Sequence, residues 1–188
     1  MAKSLTGSEG QEIPHDRCHR RIASDSMEGT EHCFELSPQL GKGYWIENQL
    51  CPGLVLTLTD LEKEQDRVYH IYQHSRQLPL TASFHLKGSC RVTNDGLKYS
   101  QQELAGKNCL YQVPSTAEKE EFQAYDRLSR IHIQISLKLL DALGINQMGN
   151  LPVDLEQAIA GDSSSIFYRV GKTTPIMWSI LKQLIQCP

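Results

Sequence analysis

The sequence predicts an α+β protein that is mainly β: a sandwich or small barrel of about eight short strands followed by C-terminal helices. Residues 54–59 place leucine at every second position, which is the period of a half-buried strand. Asn94-Asp95-Gly96 is a strong signal for a two-residue hairpin. Beyond Ser136, apolar residues recur at three- and four-residue spacing, which is typical of helices.

Length and composition exclude several classes of protein. The chain has 188 residues, of which 39% are hydrophobic and 22% are charged, as in a globular protein with one core and appendages. No run approaches the roughly 18 apolar residues that span a bilayer, and no signal peptide is recognisable, so we expect a cytoplasmic protein without membrane contact. A net charge of −3 excludes a self-sufficient nucleic-acid binder. Six scattered cysteines without a CxxC pair are expected to be free thiols.

Residues 1–38 contain few large apolar side chains among many charged residues, serines and glycines. Such a segment cannot offset the entropy of ordering, so we expect a mostly disordered tail. It carries five residues of metal-ligand type: His15, Cys18, His19, His32 and Cys33. Their spacing matches no closed zinc-finger template, so a metal site in the tail is only weakly indicated.

Residues 39–135 form the predicted β domain, in which β-branched and aromatic runs are separated by turn signals. The predicted strands cover residues 43–46, 54–59, 67–74, 80–86, 90–93, 97–99, 109–113, 119–125 and 130–135. In the last of these, Ile131, Ile133 and Ile135 share one face, and His132 and Gln134 share the other.

Residues 136–188 form the predicted helical linker and dimerisation segment. Helices over 136–143 and 152–160 each stop at a glycine, and residues 167–170 form a short extended piece. Thr174 can cap the final helix, and Pro175 suits its first turn. The apolar stripe of this helix consists of Ile176, Met177, Ile180, Leu181, Leu184 and Ile185. Burial of such a stripe contributes about 1.5–3 kcal/mol per large side chain, so we predict a dimer seam.

No catalytic or metal-binding constellation is recognisable, so we predict a protein that is not an enzyme and holds no cofactor or metal. His70 and His74 share a strand face but lie about 13 Å apart, too far to chelate one metal. His85 and His132 alternate with the apolar faces of their strands and are expected to reach solvent. The chain has no Gly-x-Ser-x-Gly motif and no glycine-rich phosphate loop.

A small barrel can instead enclose one ligand in an apolar interior that carries a few polar groups. The apolar strand faces supply the expected lining, which consists of Leu56, Leu58, Ala82, Phe84 and Leu86. Tyr44, Trp45 and Arg91 are expected at the mouth, where an arginine suits an anionic or phenolate-bearing ligand. Each aliphatic residue, considered alone, is more simply explained as part of the hydrophobic core.

The stretch Leu50-Cys-Pro-Gly-Leu-Val-Leu56, followed by residues 79–88, resembles the N-terminal domain of AraC/XylS-type transcription regulators, in the PchR-like branch. The segment from Thr174 to Pro188 resembles the region that leads from this domain into the DNA-binding half. The similarity covers about residues 41–188. It implies a cupin-like β-barrel that binds a small effector, followed by helices that connect and dimerise. The effector class that it implies is a ferric siderophore or a similar iron chelate.

We therefore expect the effector-sensing domain of a homodimeric regulator, which contacts DNA only through a C-terminal domain absent from these residues. The natural reading frame is expected to continue past Pro188 into two helix-turn-helix motifs. Two alternatives stay open at this point. One is a metal-dependent cupin enzyme, which would contain stoichiometric metal, and the other is a dimeric interaction module without a small ligand.

Overall fold

The computed structural model describes residues 3–6, 12–13, 22–26, 29–35, 41–73, 79–97, 99–113, 117–145, 151–160 and 166–186. The strands are β1 (Lys3–Thr6), β2 (Glu12–Ile13), β3 (Ile22–Ser26), β4 (Gly29–Glu35), β5 (Lys42–Cys51), β6 (Leu54–Glu62), β7 (Arg67–Gln73), β8 (Leu80–Lys87), β9 (Ser89–Asn94), β10 (Gln101–Leu104), β11 (Lys107–Gln112), β12 (Ala117–Phe122), β13 (Arg127–Ile135) and β14 (Phe167–Lys172). The helices are α1 (Leu137–Ala142), α2 (Val153–Ile159) and α3 (Pro175–Gln186). The predicted fold class, mainly β with C-terminal helices, is confirmed.

Two antiparallel sheets pack face to face. One has six strands in the order β10-β9-β12-β7-β1-β2, and the other has eight in the order β14-β11-β8-β13-β6-β5-β4-β3. One hydrophobic cluster bridges them, because Leu128 of the eight-stranded sheet contacts four residues of the six-stranded sheet. Those four residues are Tyr69, Cys90, Val92 and Phe122.

Parts of the N-terminal region pair with the β domain, and the expected disorder of this region as a whole stays a prediction. Within residues 1–38 the structure describes four strands, and the rest of this range lies outside the described residues. β1 pairs with β7, and β4 pairs with β5. These strands pair with strands of the two sheets. Their main-chain hydrogen bonds offset the entropy lost on ordering, which the few apolar side chains of this region could not offset alone.

The turn after β9 confirms the hairpin signal but not the strand predicted to follow it at once. The Leu97 N–H donates to the Asn94 carbonyl at 2.9 Å, and the Gly96 N–H donates to the Asn94 side-chain oxygen at 2.9 Å. The returning strand is β10, which begins only at Gln101 and pairs with β9. An asparagine side chain that bonds two residues ahead explains why the turn is well defined locally.

The helices cover the outer face of the eight-stranded sheet. Leu140 of α1, together with Leu155 and Ile159 of α2, packs against Leu80 and Phe167 of the sheet. The α3 cap is as predicted, since the Met177 N–H donates to the Thr174 hydroxyl at 3.3 Å. None of the helices in the described part of the chain has the length and apolar character needed to cross a bilayer.

The predicted helical segment also contributes to the β domain. β14 pairs with β11 along six residues and forms the edge of the eight-stranded sheet. It then leads through Thr173 and Thr174 directly into α3. The barrel and the segment 136–188 therefore share one sheet, and the start of α3 is attached to it.

Candidate functional site

The interior between the sheets is polar along β8. Ser83 is 1% exposed and His85 is 0% exposed, whereas the alternating residues Phe84 and Leu86 pack beneath α3. The expectation that His85 reaches solvent is therefore wrong. Because α3 covers the outer face of this sheet, the apolar residues of β8 lie under the helix and the polar residues face the second sheet.

The residues expected to line a ligand cavity lie mostly on the outer face of the sheet. Leu56 is buried against Leu181 of α3, and Leu58, Phe84 and Leu86 pack against the same cluster. Ala82 shares their strand face because it pairs with Ile133, which belongs to this cluster. These residues are brought together, but outside the space between the sheets, and their contact with an effector stays a prediction.

The three residues expected at the mouth are not brought together. Tyr44 and Trp45 lie on β5 of the eight-stranded sheet, and Trp45 stacks on Phe34 at 4.9 Å between ring centroids. Arg91 lies on β9 of the other sheet, where its guanidinium is 4.0 Å from the Glu121 carboxylate. Arg91 borders a surface cleft of about 300 Å³. Tyr44 and Trp45 lie outside that cleft's lining, and their predicted role is untested.

A cluster of buried polar side chains joins the two sheets. His85 Nε2 lies 3.1 Å from Glu103 Oε2, which belongs to β10 of the facing sheet. The same ring nitrogen lies 3.1 Å from the Ser83 hydroxyl oxygen. The Cys90 thiol donates to Glu103 Oε2 at 3.4 Å. Three strands, β8, β9 and β10, thus direct polar groups towards one place in the interior.

Cys109 completes this cluster from β11. One side-chain ligand atom from each of His85, Glu103 and Cys109 lies within 4.8 Å of the other two, and the three side chains are buried. The Tyr168 hydroxyl of β14 donates to Cys109 Sγ at 3.4 Å. Imidazole, carboxylate and thiolate are ligand types that bind transition metals.

Burial sets the protonation of this cluster. It lowers the pKa of His85 to about 4, with the Arg130 guanidinium as a second cause, so the imidazole is neutral near pH 7. Burial raises the pKa of Glu103 to about 7 and the pKa of Cys109 to about 11. The contact between His85 and Glu103 is therefore a hydrogen bond of a neutral imidazole and not a salt bridge.

Arg130 and Glu120 form a second polar link between the sheets. The guanidinium donates to the two carboxylate oxygens at 2.7 and 3.1 Å. Their side chains are 11% and 7% exposed. Burial opposes the charge of Arg130, but the Glu120 carboxylate nevertheless raises its pKa above the ordinary value. The pair is therefore ionised inside the barrel.

A cavity connects these groups. The space that the centre of a water molecule can occupy in this cavity is about 10 Å³, so the cavity has room for about one water. Its lining includes Asn94 and Leu97 of the turn after β9, together with Glu103, Arg130 and Tyr168. The interior is thus nearly filled as it stands, and an organic ligand requires this space to widen.

The other histidines singled out in the sequence do not join this cluster. His132 is half-buried and borders the cavity, because it pairs with Ser83. His70 pairs with Lys119, which lies on the outer face of the six-stranded sheet. His74 lies outside the described residues, as do His15, Cys18 and His19 of the N-terminal cluster. Among the described residues, the cluster around Glu103 is the one group of three potential metal ligands.

Gly106 connects the polar cluster to α3 through the backbone. Its N–H donates to the His85 carbonyl at 2.8 Å, and its carbonyl accepts from the Thr173 N–H at 2.9 Å. The φ angle of Gly106 is +80°, in the left-handed region that favours glycine. The turn between β10 and β11 thus contacts both the His85 strand and the residue two positions before α3.

Sequence reasoning missed Glu103, Cys109, Cys90 and the Arg130–Glu120 pair. One signal was available in the helices. The amphipathic stripe of α3 needs an apolar surface to cover, and the leucine face of β6 offers one. Had that face been assigned to the helix, the polar positions of β8 would have been expected to face the interior.

The family model described as the regulatory protein PchR N-terminal domain matches residues 41–188. No curated protein shows a significant sequence match to the chain. The solved structure of unsaturated fatty acid bound ToxT from Vibrio cholerae has a TM-score of 0.50 and 13% identity, covering 72% of this chain and 46% of that one. The chain thus spans less than half the length of ToxT, and the similarity shows a shared fold.

Two further solved structures show a weaker similarity to the chain. The AraC-like transcriptional activator CuxR has a TM-score of 0.38 and 9% identity, covering 77% of this chain and 64% of that one. The bacterial pirin YhhW from Escherichia coli, solved with nickel(II), has a TM-score of 0.41 and 11% identity, covering 91% of this chain and 58% of that one. The predicted cupin-like architecture is confirmed. The chain belongs to the family of PchR-type N-terminal regulatory domains.

Proposed function

We propose that this chain senses a small-molecule effector between its two sheets and does not catalyse a reaction. The observation that carries the proposal is the group of ionisable and aromatic side chains in the barrel interior, around Glu103, Arg130 and Tyr168. Buried ionic groups seldom stabilise a fold more than apolar residues of similar size would. Stability of the core alone therefore does not explain these groups. A binding site requires such groups, because a few precisely placed polar side chains fix the orientation of a ligand.

The proposed effector is a ferric siderophore or a similar iron chelate, in agreement with the PchR family description. Such a ligand offers aromatic and anionic groups, which suit Tyr111, Tyr168 and Arg130 around the cavity. Because the cavity has room for only about one water, the effector would select a conformation in which the sheets part at the Asn94–Leu97 turn. The fatty acid bound to ToxT, a protein of the same fold, supports a small effector in this architecture.

A thermal-shift experiment tests the effector. At a ligand concentration of 100 Kd, selective binding to the folded state stabilises by about 2.7 kcal/mol, which corresponds to about 5–10 °C for a chain of this size. The chain is measured with ferric complexes of catecholate, phenolate and hydroxamate chelators, each beside its iron-free form. A shift with at least one ferric complex is expected. If a metabolite without iron shifts the melting temperature and the ferric complexes do not, the sensor stands and the chelate assignment is wrong.

A pair of variants locates the site. Leu97→Trp places a large ring at the cavity border and is expected to abolish the shift. Tyr99→Trp is the matched control, because Tyr99 lies nearby but is exposed and does not border the cavity. Equal shifts in the two variants would contradict an effector site between the sheets.

We propose further that α3 forms a homodimer seam and that DNA is contacted through a portion outside these residues, in the cytoplasm. The α3 stripe divides into two parts: Leu181 and Leu184 pack on the sheet, and Ile176, Ile180 and Ile185 are exposed. Ile176 and Ile180 lie one helical turn apart and form one exposed apolar row, which is characteristic of an interaction surface. A second copy of the chain presents the same row, as a two-fold interface requires.

Ile180→Asp is expected to convert the dimer to a folded monomer, because it introduces a charge into the exposed half of the stripe. Sedimentation velocity measures the oligomeric state, and circular dichroism checks the fold. Ser179→Asp is the matched control, since it adds the same charge on the opposite, exposed side of the helix. A wild-type chain that is monomeric at high micromolar concentration would exclude the α3 seam.

A further inference from the structure

We propose that His85, Glu103 and Cys109 bind one divalent transition-metal cation of the zinc(II) or iron(II) class inside the barrel. The site would belong to the protein itself, and it does not depend on the identity of the organic effector. The first support is convergence, since one ligand atom from each residue lies within 4.8 Å of the other two. Ligands of a tetrahedral ion at bond lengths of 2.0–2.3 Å lie about 3.3–3.8 Å apart, so a small contraction completes the site.

The scaffold favours such a site. His85 lies on β8 and Cys109 on β11, which are neighbouring strands of one sheet, and Glu103 faces them from β10 of the other. Side chains on strands are held more rigidly than side chains on loops. The three ligands therefore approach one point from both sheets, and their backbones do not need to rearrange.

The charges also match. A thiolate and a carboxylate carry two negative charges, so a divalent cation leaves the buried site neutral when His85 binds as neutral imidazole. Binding releases the proton of the Cys109 thiol to solvent. The mixture of sulphur, nitrogen and oxygen donors selects against magnesium and calcium, which prefer oxygen ligands alone.

Neighbouring side chains supply the outer contacts that metal ligands need. The Tyr168 hydroxyl donates to Cys109 Sγ at 3.4 Å, and the Cys90 thiol donates to Glu103 Oε2 at 3.4 Å. Such partners orient ligands and tune their affinity for the metal. Three protein ligands also leave a fourth position for water or for a donor atom of another molecule.

A core cluster held together by hydrogen bonds alone explains the arrangement less well. His85 is fully buried, and its Nδ1 has no hydrogen-bond partner among the described residues. An unpaired buried polar atom is unfavourable, so hydrogen bonds within the cluster do not satisfy the imidazole completely. A cavity with room for about one water borders one of the three ligands, Glu103, and the outer contact Tyr168.

Cobalt(II) titration of the full chain tests the site, with the protein stripped by a chelator and kept reduced by a phosphine. One equivalent is expected to produce a thiolate-to-cobalt charge-transfer band. Zinc(II) is expected to displace the cobalt ion and thereby remove the band. Cys109→Ser should remove the band, and Glu103→Gln should weaken binding by more than about 100-fold. Tyr168→Phe, which removes only an outer contact, should weaken it by about 10–100-fold.

Two controls make the result decisive. Cys51→Ser removes a half-buried thiol that belongs to no group of potential ligands among the described residues, and it should leave the band unchanged. The double variant Cys18→Ser/Cys33→Ser removes the N-terminal thiols and should also leave the band unchanged. Absence of a charge-transfer band in the wild-type chain overturns the proposal, even if Cys109→Ser fails to fold. A band lost only in the N-terminal double variant overturns it as well.

Discussion

Replacing Arg130 with methionine is expected to lower the free energy of unfolding by about 3–5 kcal/mol, the cost of leaving one partner of a buried ion pair uncompensated. The guanidinium of Arg130 binds both oxygens of Glu120 between the sheets, at 2.7 and 3.1 Å. Folded domains are stable by only about 5–15 kcal/mol, so this change removes a large part of the total. Urea unfolding monitored by circular dichroism measures the loss.

Two further variants identify the cause of this loss. Arg130→Met/Glu120→Leu should recover most of the stability, because an apolar pair of similar volume replaces the ion pair. Arg127→Met is the matched control: Arg127 binds Asp60 with a similar bidentate geometry, at 2.7 and 2.9 Å, but is 54% exposed. An exposed pair contributes about 0–1 kcal/mol. Equal losses for Arg130→Met and Arg127→Met would show that burial does not set the cost.

Truncating Leu181 to alanine is expected to cost about 2–5 kcal/mol, because it leaves a cavity between α3 and the sheet. Leu181 is 3% exposed and packs on Leu56 and Ile131. The loss should be visible as faster hydrogen exchange throughout α3, since this side chain is the buried residue that attaches the helix.

Ile180→Ala provides the comparison, because Ile180 lies on the same helix but is 53% exposed. In dilute protein, where a dimer would dissociate, its effect on unfolding should stay within about 0.5 kcal/mol. If the two truncations cost the same, α3 is not docked on the sheet as the structure describes.

Local features were predictable from the sequence wherever their cause lies within a few residues. The start of α3 depends on Thr174 and on the helix that immediately follows it, and the hydrogen bond from Met177 spans only three positions. The turn at Asn94 depends on a bond to Gly96. The strands from β5 to β13, apart from β10, were predicted approximately for the same reason, because their alternation is a local pattern.

The polar interior was not predictable in this way. Alternation in β8 shows that two faces differ, but it does not show what covers each face. That depends on α3, which follows β8 by nearly ninety residues, and on β10 of the opposite sheet. His85, Glu103 and Cys109 come together only through this long-range packing. The sequence interpretation assumed water opposite the apolar face, and the assumption fails where helices cover one side of a sheet and a second sheet covers the other.

The backbone contacts of Gly106 have a thermodynamic consequence. One residue accepts from Thr173, just before α3, and donates to His85 inside the barrel. Any ligand that moves the His85 strand therefore changes the free energy of α3 placement. By reciprocity, a change in the placement of α3 changes the free energy of ligand binding by the same amount. A macromolecule that holds α3 in one position would alter ligand affinity between the sheets by the same factor. Affinity measured on the isolated chain would then differ from affinity in the assembled regulator.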